Sequence, residues 1–349
     1  MPFMRAVVIR EHGGVEALSV EDLPTPEPGP GSVRIEVRAC AVNHLDLWVR
    51  RGVPGHHFPL PLIPGNDIAG VVDALGPGCE GLEVGDEVVV APGTSCGNCG
   101  ACADGRDHHC RSYAILGEHR DGGYADHVVV PRVNVIPKPT NLNFAQAATT
   151  LLAPLTAWNM LTRRARLEQG EWVLVQAAGS GVSSAAIQIA KLWNARVIAV
   201  ARSEEKCNRA SELGADFVLS SETDDVAKEV RKITNKLGVQ VVVDHVGEAT
   251  WETSMRCLGW QGRFVTCGST TGSVVNVNLR HLFFKSLSLL GATMGPRGDV
   301  HRVVNLYAQG LLQPLVDRVL PLEDAAQAHQ LLEDRKVFGK IVLTTKKNQ

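Results

Sequence analysis

Cysteine clustering is the strongest chemical signal in this chain. Cys96, Cys99, Cys102 and Cys110 follow the spacing Cys-x2-Cys-x2-Cys-x7-Cys in a glycine-rich stretch from Thr94 to Arg111. Four thiolates so spaced can close a tetrahedron around zinc and leave no coordination position for a substrate, so the implied role is structural. An iron–sulfur cluster is the competing reading. The bacterial ferredoxin run, however, brings its last cysteine sooner and follows it with proline, whereas Cys110 is followed by Arg111. Unmetallated thiols are the remaining alternative, but a short loop gains little from four crowded, oxidisable cysteines unless a metal holds them.

The second chemical feature is the turn Ala178-Gly179-Ser180-Gly181-Val182-Ser183. It follows an apolar run, Trp172 to Gln176, that suits a strand buried on both faces. It opens a helical pattern in which Val182, Ala186, Ile189, Ala190 and Trp193 share one face. A second apolar run, Arg196 to Ala201, closes a strand–turn–helix–strand unit whose free helix N–H groups can face a pyrophosphate. The three glycine places of the usual Gly-x-Gly-x-x-Gly fingerprint are Ala178, Ser180 and Ser183, all small enough for backbone to approach a phosphate. An ordinary crossover without a ligand is the alternative. At the end of the second strand an acid would hold the ribose hydroxyls of NAD. This chain has Ala201 there, followed by Arg202, Ser203 and Lys206, which favours NADPH over NADH. A solvated helix start is the plain reading of Arg202 and Lys206.

These features need a scaffold, and 349 residues suggest two domains. A formal net charge of -2 with both signs interspersed gives no reason to expect nucleic-acid or membrane-surface binding. The chain runs straight into the alternating segment Met4 to Arg10 without an apolar signal core, so a cytoplasmic enzyme with reduced thiols is expected. Cys40, Cys79, Cys207, Cys257 and Cys267 are scattered.

Up to about Asn134 strand signals dominate, at Ala6 to Ile9, Val33 to Ala39, Ile68 to Ala74, Glu87 to Val90 and Ala125 to Val130. Leu23 to Gly31 reads as a proline-rich turn between the first strands. A helix is expected over Leu155 to Arg164. After the nucleotide crossover, strands at Phe217 to Leu219, Val239 to Asp244, Arg263 to Cys267 and Leu287 to Ala292 alternate with helices at Val226 to Lys236 and Ala249 to Leu258. That rhythm predicts a doubly wound parallel sheet. Helices at Asp299 to Gln309 and Ala325 to Glu333 and a last strand at Lys340 to Leu343 follow, the strand returning to the first domain.

Taken with Pro61-Leu62-Ile63-Pro64-Gly65-Asn66-Asp67-Ile68-Ala69-Gly70, Gly122-Gly123-Tyr124-Ala125 and Val243-Asp244-His245-Val246-Gly247, these features resemble the medium-chain dehydrogenase/reductases, the superfamily of zinc alcohol dehydrogenases and quinone oxidoreductases. The resemblance covers nearly the whole chain. It implies an α/β protein with a GroES-like, mainly β catalytic domain over residues 1–151 and 295–349, and a Rossmann domain over 152–294, with the active site in the cleft between them. It also implies contacts to the cofactor from His44, Thr156, Val246 and Gly268, and a homodimer or homotetramer paired along the strand near Leu287 to Ala292.

In alcohol-oxidising members a catalytic zinc is held by a cysteine, a histidine and a second cysteine. The corresponding places here are Asn43, Asn66, which is followed by Asp67, and about Leu152. Amides and an apolar side chain are poor zinc ligands, so no catalytic zinc is expected. The proton relay of the alcohol enzymes corresponds to Leu45 and Trp48 and is lost as well. Without a Lewis acid, alcohol oxidation and the reduction of isolated aldehydes are handicapped. Hydride addition to a conjugated enone, enal, enoyl thioester or quinone gives a delocalised anion that hydrogen bonds can stabilise. The Asn43-x-x-Asp46 pattern and the Arg50-Arg51-Gly52 turn resemble the metal-free quinone oxidoreductases, most of which lack the cysteine loop, so the chain combines features of both branches.

The expected reaction is therefore NADPH-dependent reduction of an activated double bond or quinone. The alternatives are an alcohol dehydrogenase with an atypical metal near Asp67 or none, and a protein that binds NADPH without turnover. Asn43 is expected to contact the substrate carbonyl, or else to satisfy backbone groups. Asp46 is expected to order the site, and Trp48 to wall the pocket. His56, His57 and His119 are candidate proton sources in loops where histidines are usually solvated, and water serves equally.

Overall fold

The computed structural model describes residues 2–345 and divides into two compact units. One comprises the chain through Leu152 together with the segment from Pro296 onward; the other is Ala153–Gly295.

The first unit is built on a seven-stranded sheet. Its central strand, Ser32–Ala41, alternates buried Val33, Ile35 and Val37 with half-buried Arg34, Glu36 and Arg38, as a strand with one wet face does. Asp67–Leu75 pairs antiparallel on one side of it and Lys340–Thr344 on the other, so the last strand does return to this unit. Glu87–Val90, Val135–Pro137, Val316–Pro321 and His127–Pro131 complete the sheet. The core gathers Ile35, Val37, Ile68, Val72, Val88, Tyr124 and Ile341. Each such aliphatic side chain contributes about 1.5–3 kcal/mol by leaving water.

Two family segments meet here for a steric reason. Gly65 has φ of 96°, and a Cβ on it would fall 2.3 Å from Cδ1 of Tyr124. A Cβ on Gly122 would fall 2.0 Å from the carbonyl oxygen of Gly65. The Pro61 to Gly70 loop and the Gly122 to Ala125 segment thus touch backbone to backbone, which only glycine permits.

The second unit is a six-stranded sheet in the order Phe217–Ser220, Arg196–Ala201, Trp172–Val175, Val239–Val243, Leu258–Thr266, Ser288–Gly291, with every adjacent pair parallel. The order reverses beside Trp172–Val175, the switch point where doubly wound folds bind ligands at the carboxyl ends of their strands. Among the described residues no helix is long and apolar enough to cross a membrane.

Several expectations about elements need correction. Leu18–Pro24 is a strand paired with Phe3–Ile9, so the proline-rich turn begins later than Leu23. Its Ser-Val-Glu-Asp sequence lies on the wetter strand of a two-stranded ribbon and lacks the apolar signal of a core strand. Arg50 and Arg51, expected in a turn with Gly52, are instead the last residues of helix His44–Arg51, which Gly52 ends at φ of 76°. The expected helix at Leu155 to Arg164 starts at Leu152 and widens into a π-helical stretch at Asn159–Arg164. Strand Val316–Pro321 had no expectation attached to it.

Candidate functional site

The strand Ser32–Ala41 brings the key polar residues of the first unit together. Asp67 pairs with Ala41 at the start of one neighbouring strand, and Val342 pairs with Ala41 from the other. Asn43 follows the central strand and precedes helix His44–Arg51, and Asp46 in that helix's first turn accepts the Asn43 backbone N–H at 2.8 Å.

The result is a buried network with every polar atom assigned. The Asn43 amide donates to Oδ1 of Asn66 at 2.6 Å and to Oδ2 of Asp67 at 2.9 Å. The Asn66 amide donates to Oδ1 of Asp46 at 3.0 Å. The backbone N–H of Leu152 donates to Oδ1 of Asp67 at 2.7 Å. Lys340 closes the set, its Nζ donating to Oδ1 of Asn43 and, at 3.1 Å, to Oδ2 of Asp67. Asn66, Asp67 and Asp46 are fully buried, and Asn43 and Lys340 nearly so. The places where alcohol-oxidising relatives hold zinc are thus filled by two amides, a carboxylate and a peptide N–H, and a lysine ammonium supplies the positive charge. Each side-chain nitrogen and oxygen of Asn43, Asn66 and Asp67 has a hydrogen-bond partner within this set or in Asp46 and Leu152.

This arrangement corrects one expectation. Both amide hydrogens of Asn43 are committed to Asn66 and Asp67, so Asn43 has none to offer a substrate carbonyl. Lys340 was missed in the sequence. Its only signal was a lysine opening an otherwise apolar strand, together with the need of a buried Asp67 for a counter-charge.

Behind Asp46 runs a second chain. Tyr124 donates to Oδ2 of Asp46 at 3.1 Å, and its oxygen lies 3.3 Å from Nε2 of His329. Nδ1 of His329 lies 3.3 Å from the guanidinium of Arg50, which also pairs with Glu333. Arginine can only donate, so Nδ1 of His329 accepts and its Nε2–H donates to Tyr124. Burial, reinforced by Arg50, pushes the His329 imidazole down to about 3, which keeps it neutral. Burial raises Asp46 to about 6 despite the N–H of Asn43 and the charge of Lys340.

That shift makes a prediction. The native Asp46 carboxyl keeps its proton to about pH 6 and the unfolded one only to 3.8. Between those values the native state binds more protons, so stability falls as pH rises through the window. Relative to Asp46→Asn, the wild type is expected to lose about 2 kcal/mol from pH 4 to pH 6.5. Urea midpoints of both proteins across that range check this, and a constant difference between them would contradict it.

Of the other expected site residues, Trp48 is half-buried on the same helix as Asp46 and His44. His56 and His119 flank Glu118, whose carboxyl is raised to about 7 by burial and by Asp46. His57 is exposed.

In the cysteine loop, Cys99 precedes the short helix Gly100–Ala103, and a 3-10 turn at Asp107–His109 delivers Cys110. Sulfur separations are 3.4 Å for Cys96–Cys110, 3.5 Å for Cys99–Cys102 and 3.9 Å for Cys96–Cys102. Zinc–sulfur bonds of about 2.3 Å in a tetrahedron require about 3.8 Å, so the four thiols fit one zinc. The backbone N–H of Asn98 draws the Cys96 thiol down to about 6, which favours the thiolate a metal needs.

In the second unit, Ser180 caps helix Gly181–Leu192 by accepting the N–H of Ser183. Nε2 of His245 lies 2.9 Å from both serine hydroxyls, and Ser183 donates to the carbonyl of Gln176 at 2.6 Å. Ala178, Gly179 and Val182 belong to the same turn. Val246 and Gly268 follow the carboxyl ends of adjacent strands, and Asp244 fixes the first of these loops by accepting the N–H of Val246 at 2.8 Å. Strand Arg196–Ala201 ends before Arg202, which lies exposed 3.6 Å from Glu222, and before Ser203, which caps helix Glu204–Glu212 by accepting the N–H of Lys206. Thr156 is buried in helix Leu152–Trp158.

Comparison with known proteins agrees with this architecture. Residues 29–140 match the alcohol dehydrogenase GroES-like domain, and residues 181–309 match the zinc-binding dehydrogenase family. An NAD-dependent alcohol dehydrogenase of Sulfolobus acidocaldarius is 35% identical, over 97% of this chain and 99% of the relative. An acryloyl-coenzyme A reductase of Metallosphaera sedula is 30% identical, over 98% of this chain and all of its own length. A crystal structure of an NAD-dependent alcohol dehydrogenase superposes with a TM-score of 0.95 at 50% identity, covering 98% of this chain and 100% of that one. The V350A variant of the crotonyl-CoA carboxylase/reductase AntE in complex with NADP superposes with a TM-score of 0.90 at 26% identity, covering 98% of this chain and 95% of that one. With two matched domains and relatives aligned end to end, this chain belongs to the medium-chain dehydrogenase/reductase superfamily and is an oxidoreductase that uses a nicotinamide cofactor.

Proposed function

We propose that this protein reduces a carbon–carbon double bond conjugated to a carbonyl, as in an enone, enal or enoyl thioester, or a quinone, without a catalytic metal. One observation carries this reading: Asn43, Asn66, Asp67 and Lys340 form a closed, buried network at the residues that would otherwise hold zinc. The nicotinamide, when bound, supplies the hydride. Lys340 supplies a fixed positive charge for the enolate that hydride addition leaves, and no described partner takes its third N–H. Asp46 orders Asn43 and Asn66. Trp48 walls the pocket, and His44 and Thr156 contact the cofactor. The acryloyl-coenzyme A reductase relative supports the substrate class.

The similarity to NAD-dependent alcohol dehydrogenases favours a second reading, oxidation of an alcohol or reduction of an aldehyde. Oxidation of NADPH and NADH with 2-alkenoyl thioesters, 2-alkenals, 1,4-quinones and saturated aldehydes separates the two. Conjugated acceptors are expected to exceed saturated aldehydes by about 100-fold in kcat/KM, the size of effect that losing a Lewis acid or oxyanion donor produces. Saturated aldehydes turned over fastest would overturn the proposal, and no turnover with any acceptor would favour a binding role.

NADPH is the proposed reductant, bound by Ala178, Gly179, Ser180, Gly181, Val182 and Ser183 at the turn and by Arg202, Ser203 and Lys206 at the ribose phosphate. Support comes from Ala201, which offers no acid to the ribose, and from the exposed guanidinium of Arg202. Ala201→Asp is expected to shift the NADH-to-NADPH ratio of kcat/KM toward NADH by about tenfold or more, equivalent to 1.4 kcal/mol. An unchanged ratio would remove this assignment.

We further propose one structural zinc on Cys96, Cys99, Cys102 and Cys110, and a homodimer. Ser288–Gly291 is an edge strand, and Trp260 and Phe284, with rings 5.4 Å apart, are both 63% exposed nearby in sequence.

A further inference from the structure

We propose that His56, Glu118 and His119 form a second metal site that takes one borderline divalent cation, such as Zn2+ or Co2+, through two imidazoles and a carboxylate. Their ligand atoms all lie within 4.8 Å of one another. Nε2 of His56 is 3.4 Å from Oε1 of Glu118, and Nδ1 of His119 is 3.6 Å from Oε2. A tetrahedral metal with bonds of about 2.1 Å sets its donors about 3.4 Å apart, so only small side-chain rotations separate the present arrangement from a coordinated one.

The three residues are held for reasons of their own. The Glu118–His119 turn is fixed by backbone N–H groups donating to the carbonyl of Ile115 at 3.2 and 2.9 Å. It rests on the Pro61 to Gly70 loop, because a Cβ on Gly117 would fall 2.6 Å from the backbone nitrogen of Gly65. The His56 ring packs 4.4 Å from the ring of buried Phe58. Glu118 is buried, while His56 and His119 reach solvent, so an ion can enter and keep at least one position for water or an anionic ligand. Two neutral imidazoles and one carboxylate leave a dication a net charge of +1.

Binding carries a cost at His119. Nδ1 of His119 accepts the N–H of Ile115 at 3.2 Å, and coordination there displaces that hydrogen bond. The site should therefore be weaker than the cysteine loop and should yield its metal to a chelator first. It shares no residue with the Lys340 network, so its failure would leave the proposed reaction untouched.

The test uses the full-length, tag-free protein. After EDTA treatment, zinc is quantified and the protein is titrated with Co2+. One additional equivalent of Co2+ is expected, with weak visible bands that lack the intense near-ultraviolet charge transfer of cobalt bound to thiolates. His56→Gln and His119→Gln should each weaken this binding at least tenfold, whereas His57→Gln should leave it unchanged. If EDTA also strips the cysteine loop, the thiolate bands mark that site and the second set is read separately. No weak-band equivalent, or the same affinity in all three variants, would overturn the proposal.

Discussion

Replacing Lys340 by methionine is expected to cost the fold about 3–5 kcal/mol, because it leaves the Asp67 carboxylate buried without its cation. Methionine fills much of the volume of the lysine stem, so the loss reports charge more than packing. The double variant Lys340→Met/Asp67→Asn removes both charges and should recover part of the stability, since an amide in place of Asp67 can still accept from the Leu152 N–H but turns an NH2 toward the amide of Asn43. Turnover should not recover. If Lys340 stabilises the anion left by hydride addition, both variants should retain kcat about 100-fold below wild type. Urea unfolding and steady-state kinetics on the same preparations separate the two roles. A double variant with wild-type kcat would reduce Lys340 to a counter-ion, and a single variant with wild-type stability would contradict the network itself.

The cysteine loop should give the next largest effect. Cys96→Ser/Cys110→Ser removes two thiolates from a set whose sulfurs already stand near zinc-coordinating separations. A site held at free zinc about 1,000-fold above its Kd adds about 4 kcal/mol to the native state. For a unit of this size that corresponds to about 8–16 °C in Tm. The loss should propagate beyond the loop, because Asp107 accepts the N–H of Arg297 at 3.0 Å and so ties the loop to helix Arg297–Ala308. Scanning calorimetry with zinc quantification checks this. Full zinc content in the double variant would show that the metal resides elsewhere.

The sequence made the second unit easy to read. Its strands are short runs such as Val-Val-Val at 241–243, buried on both faces, and alternate with amphipathic helices, so periodicity alone gives the order of elements. The first unit was harder where strands are wet, as at Leu18–Pro24, and where a helix begins with a polar capping residue, as at Asn43. The loss of zinc ligands at Asn43, Asn66 and Leu152 was legible because each is a local substitution in a recognisable segment. What replaces them was not. Lys340 is almost 300 residues from Asn43 in sequence, and only the register of Lys340–Thr344 against Ser32–Ala41 places its ammonium beside Asp67. His329 and Arg50 were obscure for the same reason: each sits on a helix whose pattern predicts burial or exposure but not its polar partner across the sheet.

The chain from Arg50 through His329 and Tyr124 to Asp46 has a consequence for proton traffic. A proton wire works by handing a hydrogen from link to link and then turning every link around. Here each hydrogen already points inward, and the outermost link is a guanidinium that does not release one at any physiological pH. The row can polarise Asp46, but it cannot conduct. It is an insulator on one side of the carboxylate, whose remaining partners are the backbone N–H of Asn43 and the amide of Asn66.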